Sequence, residues 1–167
     1  YLIIGEHLKR LTQSNYETLI KDLVTQHFRE NDARIDLVDG DRWGLGHGQD
    51  RVPRPMGFFN SFEAVGGLRA SARFLAGYIQ GCLNPESIPA LQDALNLSLT
   101  IDDDGHGKNT AFSWNIRELD GRRIYYHSGF VRGCKGSVMF CPEMDRGLAY
   151  VCNTPFHIRT IFDLMMT

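Results

Sequence analysis

Three consecutive residues in the C-terminal third of the chain bring together groups that could do chemistry. His127-Ser128-Gly129 sets an imidazole, a hydroxyl and a residue without a side chain in a row. An imidazole titrates near neutrality, so it can supply a donor or a partial positive charge. A hydroxyl both donates and accepts, and glycine lets another backbone come close. The pattern around the triplet places it at the end of a strand, where open backbone would meet a ligand. Arg132 follows closely, and a guanidinium there would attract a carboxylate.

Other candidate chemistries are weaker. Asp102, Asp103 and Asp104 precede Gly105-His106-Gly107. They lack the alternating spacing and distal glutamate of a calcium loop and read as a solvated turn. His27, His47 and His106 have no metal-like spacing with one another, so no metal site is expected, nor any cofactor. Cys82, Cys134, Cys141 and Cys152 contain no C-x-x-C pair, which excludes a zinc ribbon or a thioredoxin motif. Their apolar contexts favour buried thiols, and spacing alone leaves a disulfide between strands open.

The elements that must position the triplet come from periodicity. Apolar residues Leu2, Ile3, Ile4, Leu8 and Leu11 mark an amphipathic helix over 1–12, and Tyr16, Leu19, Ile20, Leu23, Val24 and Phe28 mark a second over 15–29. Ser14-Asn15 offers its cap. From 31 to 55 glycines and prolines replace periodicity, which predicts a long loop anchored by Ile35, Leu37 and Trp43. Gly66-Gly67 marks a tight backbone passage. Ser71 caps a third helix with Phe74, Leu75, Tyr78, Ile79 and Cys82 on its apolar face, ended by Asn84-Pro85. Pro89 is expected in the first turn of a fourth.

From Thr110 the period changes to two. A strand over 110–118 would carry Phe112, Trp114 and Ile116 on one face. Asp120-Gly121 predicts a hairpin turn, with a returning strand over 123–127. Strands over 136–141 and 148–152 follow, then a helix capped by Asn153-Thr154-Pro155. The expectation is an α+β fold: a mainly helical region over 1–109 with a long loop over 31–66, then an antiparallel meander and a helix over 110–167.

Composition narrows the class. With 43% hydrophobic and 23% charged residues in 167, the chain can bury a core. A net charge of −2 and no basic run beyond paired residues such as Arg122-Arg123 give no reason to expect nucleic acid as a partner. No apolar stretch reaches the roughly 18 residues of a membrane span. The abrupt opening Tyr1-Leu2-Ile3-Ile4, inside an amphipathic pattern, suggests a fragment or a processed chain.

The order of these features resembles the C-terminal half of the serine β-lactamase-related hydrolases. That group includes class C β-lactamases, D-alanyl-D-alanine carboxypeptidases and esterases. The resemblance runs through Tyr1–Gly5, Gly66–Ala72, His127–Gly129, Gly133, Val138–Pro142 and Gly147–Asn153. It implies an antiparallel sheet flanked by helices, present as an incomplete catalytic domain, with no metal or other cofactor. The family's chemistry needs Ser-x-x-Lys for the nucleophile, Tyr-x-Asn for proton relay, and a Lys-Thr-Gly or His-x-Gly triplet. Here no serine stands three residues before a lysine, and the chain opens after the place where Tyr-x-Asn would lie.

The resemblance assigns roles to what remains. His127 would orient polar groups or meet a substrate carboxylate, and Ser128 would offer a hydroxyl to the substrate or to His127. Gly129 would admit the substrate backbone. The Phe130 backbone N–H would be one oxyanion-hole donor. Arg132 would attract an anionic substrate. The implied partners are a small-molecule substrate and an N-terminal half carrying the two missing motifs, in the same protein or another chain. A periplasmic or extracellular place is favoured. The rival expectation is a non-catalytic binding or assembly module on the same scaffold.

Overall fold

The computed structural model describes residues 1–29, 32–35, 44–48, 50–54, 63–102, 110–131, 133–153 and 165. Its helices are α1 (Leu2–Thr12), α2 (Tyr16–Leu23), α3 (Glu63–Gly66), α4 (Ala72–Leu83) and α5 (Gln92–Ser98). The short strands are β1 (Ala33–Arg34), β2 (Gly46–His47), β3 (Pro53–Arg54), β4 (Arg69–Ala70), β5 (Ile101–Asp102) and β6 (Thr110–Ala111). The longer ones are β7 (Trp114–Leu119), β8 (Arg122–Val131), β9 (Cys134–Cys141) and β10 (Arg146–Cys152). β5 to β10 form one antiparallel sheet in the order β10-β9-β8-β7-β6-β5, while β1 pairs with β4 and β2 with β3. Helices flanking an antiparallel sheet are the expected fold class.

Local chemistry sets the helix starts. The Asn15 side chain accepts from Thr18 N at 2.8 Å, and Ser71 Oγ accepts from Phe74 N at 3.1 Å. Each satisfies an N–H that the first turn leaves orphaned. The second helix is shorter than its apolar pattern suggests. Val24 leaves helical geometry at φ −132, and the chain continues as a 3-10 turn over Thr25–His27. Pro89 does not open the fourth helix. A 3-10 turn over Pro85–Ser87 comes first, and α5 starts at Gln92 with no side-chain cap.

The sheet differs from expectation at two places. The strand foreseen over 110–118 is broken at Phe112-Ser113, where Ser113 takes φ 67. Phe112 is therefore exposed rather than in line with buried Trp114. The triplet also does not end a strand: β8 continues past it to Val131. The hairpin at Asp120-Gly121 is as read, with φ 51 and 70. Two positive φ values match the twist of the flanking strands.

Each face of the sheet is covered. On one, Ile79 and Cys82 of α4 pack with Trp114, Tyr125 and Phe140. The approach is close: a Cβ on Gly147 would lie 2.1 Å from Ile79 Cγ2. On the other, Met165 packs against Ile124, Met139 and Cys141. An aromatic series ties the helical layer to the sheet. Phe28 meets Tyr78 at 5.7 Å, Tyr78 stacks on Trp114 at 6.3 Å, and Trp114 meets Phe140 edge-on at 5.0 Å. Tyr125 then stacks on Phe140 at 5.4 Å, which anchors β8 two residues before His127.

None of the four cysteines is in a disulfide. Burial pushes the Cys82 thiol up to about 12 and raises the Tyr78 phenol beside it. Among the described residues no helix is long and apolar enough to cross a membrane. Leu37, Trp43, Asp103 to Gly107 and the span of the last expected helix other than Met165 lie outside the described residues.

Candidate active site

β8 loses a neighbour halfway along its length. β7 pairs with it from Leu119↔Arg122 to Asn115↔Tyr126 and no further. β9 continues alongside from Tyr125↔Phe140 to Val131↔Cys134. From His127 to Val131, β8 thus has one strand partner and one open edge among the described residues. The cause is local: β7 begins at Trp114, directly after the turn at Phe112-Ser113, so its ladder with β8 goes no further than Tyr126.

The hairpin decides which peptide groups face that edge. A two-residue turn closes on a hydrogen-bonded pair, so the Arg122 N–H and C=O point at β7. The same direction recurs every second residue, at Ile124, Tyr126, Ser128 and Phe130. Asn115 Nδ2 donating to the Tyr126 carbonyl at 3.5 Å agrees with it. The Phe130 N–H and both peptide groups of Ser128 therefore face the open edge, where an extended ligand can pair with them.

Side chains alternate the other way. His127, Gly129 and Val131 share the α4 side with Tyr125, whereas Ser128 and Phe130 share the Met165 side with Tyr126. The Ser128 hydroxyl therefore leaves its strand on the face opposite His127. It lies 2.9 Å from Ser137 Oγ, and Ser137 Oγ donates to the His127 carbonyl at 3.0 Å. Ser137 is 3% exposed and escaped the sequence reading. Its place follows from the register: counting along the ladder from the Val131↔Cys134 pair sets it opposite Ser128.

The open edge lines a cleft of about 1080 Å³. His127, Ser128, Gly129 and Phe130 form one wall; Val65, Gly66 and the segment from Leu68 to Ala72 form another. That wall lies close to β8, since a Cβ on Gly66 would be in van der Waals contact with Val131 Cγ2 at 3.4 Å. The neighbouring Gly67 confirms the tight passage: a Cβ would fall 2.8 Å from the Glu63 backbone. Arg69 secures the wall by donating to the carbonyls of Ile35 and, at 3.4 Å, Gly67. Behind the β8–β9 turn, Gly133 at φ 82 fits against the His47 backbone, whose N–H donates to Asn153 O at 2.7 Å.

The described charged lining is cationic in balance. Arg34, Arg69 and Lys135 stand against Asp32, with His127 beside them. Phe130 is 58% exposed and offers an apolar surface at the mouth. Among the described residues, nothing lies within 4 Å of where a Gly129 Cβ would be. Arg132 lies outside the described residues. Among the described residues no cluster of His, Cys, Asp or Glu could hold a metal. A Thr-x-x-Lys spacing does occur, at Thr18 and Lys21, but both sit on α2 and neither lines the cleft.

A family profile described as Beta-lactamase matches residues 1–160. No curated protein matches the chain. Among solved structures, a class C beta lactamase from Rhodobacter sphaeroides superposes with TM-score 0.83 at 15% identity over 99% of this chain and 57% of its own. A D-alanine carboxypeptidase from Burkholderia cenocepacia gives 0.84 at 15%, over 99% and 58%. An octameric penicillin-binding protein homologue from Pyrococcus abyssi gives 0.76 at 22%, over 92% and 37%. At these identities the likeness is one of fold. The chain spans between 37% and 58% of the length of these three structures.

Proposed function

Since the chain belongs to the beta-lactamase family, we propose that it is the C-terminal part of a serine hydrolase acting on amide or ester bonds. The substrate is a D-amino-acid peptide, a β-lactam or a small ester. It is processed through an acyl-enzyme whose nucleophilic serine lies outside these 167 residues. The observation that carries this reading is the open edge of β8 inside the cleft, with the Phe130 N–H directed into it.

The substrate lies along β8 as an added strand. The Ser128 peptide groups hold it in register, and Gly129 keeps the approach free of side chains. The acyl carbonyl points its oxygen at the Phe130 N–H. Charge developing on that oxygen is stabilised by this donor, and one such donor is worth about 3 kcal/mol. His127, on the α4 face, orients the polar groups of substrate and nucleophile. Arg34, Lys135 and Arg132 draw anionic substrates to the mouth. The partner segment, in the same protein or another chain, supplies Ser-x-x-Lys and Tyr-x-Asn. The reaction belongs in the periplasm or outside the cell.

The test is turnover by the whole protein containing this chain. Chromogenic β-lactam, D-alanyl ester and simple aryl ester substrates should show hydrolysis with an initial burst equal to the enzyme concentration. A folded protein that hydrolyses none of them contradicts the reading. The absence of Ser-x-x-Lys from these residues favours one rival, a binding module on the same scaffold. Ligand binding along β8 without any turnover would support that rival.

A further inference from the structure

The Ser128–Ser137 contact has a direction. Each hydroxyl carries one proton, and a carbonyl only accepts. Ser137 Oγ touches two oxygens, the His127 carbonyl at 3.0 Å and Ser128 Oγ at 2.9 Å. Both contacts are hydrogen bonds in only one arrangement: Ser128 donates to Ser137, and Ser137 donates to His127. Ser137 is buried, 3% exposed, and both of these contacts are made within the β8–β9 pair.

We propose that Ser137 is a positioning residue that turns the Ser128 proton away from the cleft, leaving Ser128 Oγ as a hydrogen-bond acceptor towards the ligand. The inference rests on the cleft being the substrate site proposed above. It deepens that reading by naming the ligand group that Ser128 favours. An N–H or O–H donor beside the scissile bond, such as an amide, meets Ser128 at no cost. A carboxylate there must break the Ser128–Ser137 bond before it can accept from Ser128. Carboxylate recognition thus falls to the cations lining the cleft, not to the hydroxyl.

The test compares two ligands that differ in one group, N-acetyl-D-alanine and its carboxamide, by calorimetry on the whole protein. Ser137→Ala frees the Ser128 proton. The preference for the carboxylate over the carboxamide should then rise about fivefold, the fold-change of one neutral hydrogen bond. Ser137→Thr keeps the hydroxyl and should restore the wild-type ratio. In a Ser128→Ala background the Ser137→Ala change should leave the ratio where it is. A general loosening of the sheet would weaken both ligands alike, so the ratio separates positioning from structure. An unchanged or reversed ratio in Ser137→Ala, or the same shift without Ser128, overturns the proposal. If the wild-type protein binds neither ligand, the substrate-site reading fails instead. Proton direction is then read from a neutron structure, where deuterium on Ser128 pointing into the cleft overturns the relay.

Discussion

Asn115 stands directly opposite Tyr126, and this is the last pair that β7 makes with β8. One residue later His127 has β9 on one side and the cleft on the other. The candidate site exists because two antiparallel neighbours stop at different places. The turn that stops β7 is set by a serine at positive φ, not by a glycine or a proline.

Gly129 and Gly147 separate ligand needs from protein needs. A Cβ on Gly129 meets nothing within 4 Å among the described residues. Gly129→Ala should leave the urea midpoint within experimental error and lower kcat/KM by about tenfold or more, since only the ligand backbone needs the space. Gly147→Ala drives a methyl into Ile79. It should cost about 1–3 kcal/mol of stability and spare the activity of the folded fraction. Denaturation curves and kinetics on both variants check the pair; the opposite pattern refutes the assignment.

His127 has a chemical role in this account, and Ser137 holds its carbonyl. His127→Ala should lower kcat/KM by about a hundredfold with little change in unfolding midpoint, because the ring is exposed. His127→Lys, the family's alternative at this position, should recover a large part of the loss. Equal activity of wild type and His127→Ala would remove His127 from the site.

Stability should fall in alkali through the buried thiol of α4. The Cys82 thiol rises from 9.0 to about 12, mainly through burial, against a hydrogen bond with Tyr78 that lowers it. A raised pKa favours the protonated form in the native state. Its contribution is complete below the unfolded value and is lost as pH climbs towards the folded one. Between pH 9 and 11 this amounts to a loss on the order of 2 kcal/mol. Cys82→Ala should therefore flatten the fall in stability over that window, measured by urea denaturation of the whole protein. An unchanged slope would contradict the burial argument.

Apolar surface on α1 makes a prediction about the 167 residues taken alone. Ile3 is 83% exposed and Leu11 67%, and among the described residues β8 has an open edge from His127 to Val131. Surfaces and edges of this kind drive association. The isolated chain should not unfold cooperatively as a monomer. A sharp, concentration-independent urea transition from a monomeric species would refute this.

Much of the fold was legible where the signal is local. Ser71 and Asn15 cap their helices through their own side chains, and Asp120-Gly121 fixes its hairpin by backbone preference alone. The errors came where tertiary contacts override local signals. Pro89 carries the mark of a helix start, yet α5 waits until Gln92, where Leu95 reaches the core. The break at Phe112-Ser113 has no glycine or proline to announce it. Within the site, the triplet was visible as a motif, but its place in mid-strand depends on how far β9 runs beside it. Ser137 is unremarkable in sequence and gains meaning only from the residue across the ladder.

The central claim is that β8 forms one wall of an acyl-transfer site completed by a serine elsewhere. Labelling the whole protein with an activated acyl probe and mapping the adduct by mass spectrometry tests it most directly. The account predicts one stoichiometric adduct, on a serine outside these 167 residues and three positions before a lysine. A folded protein that takes no adduct, or takes it on a serine within the chain such as Ser128, would contradict it.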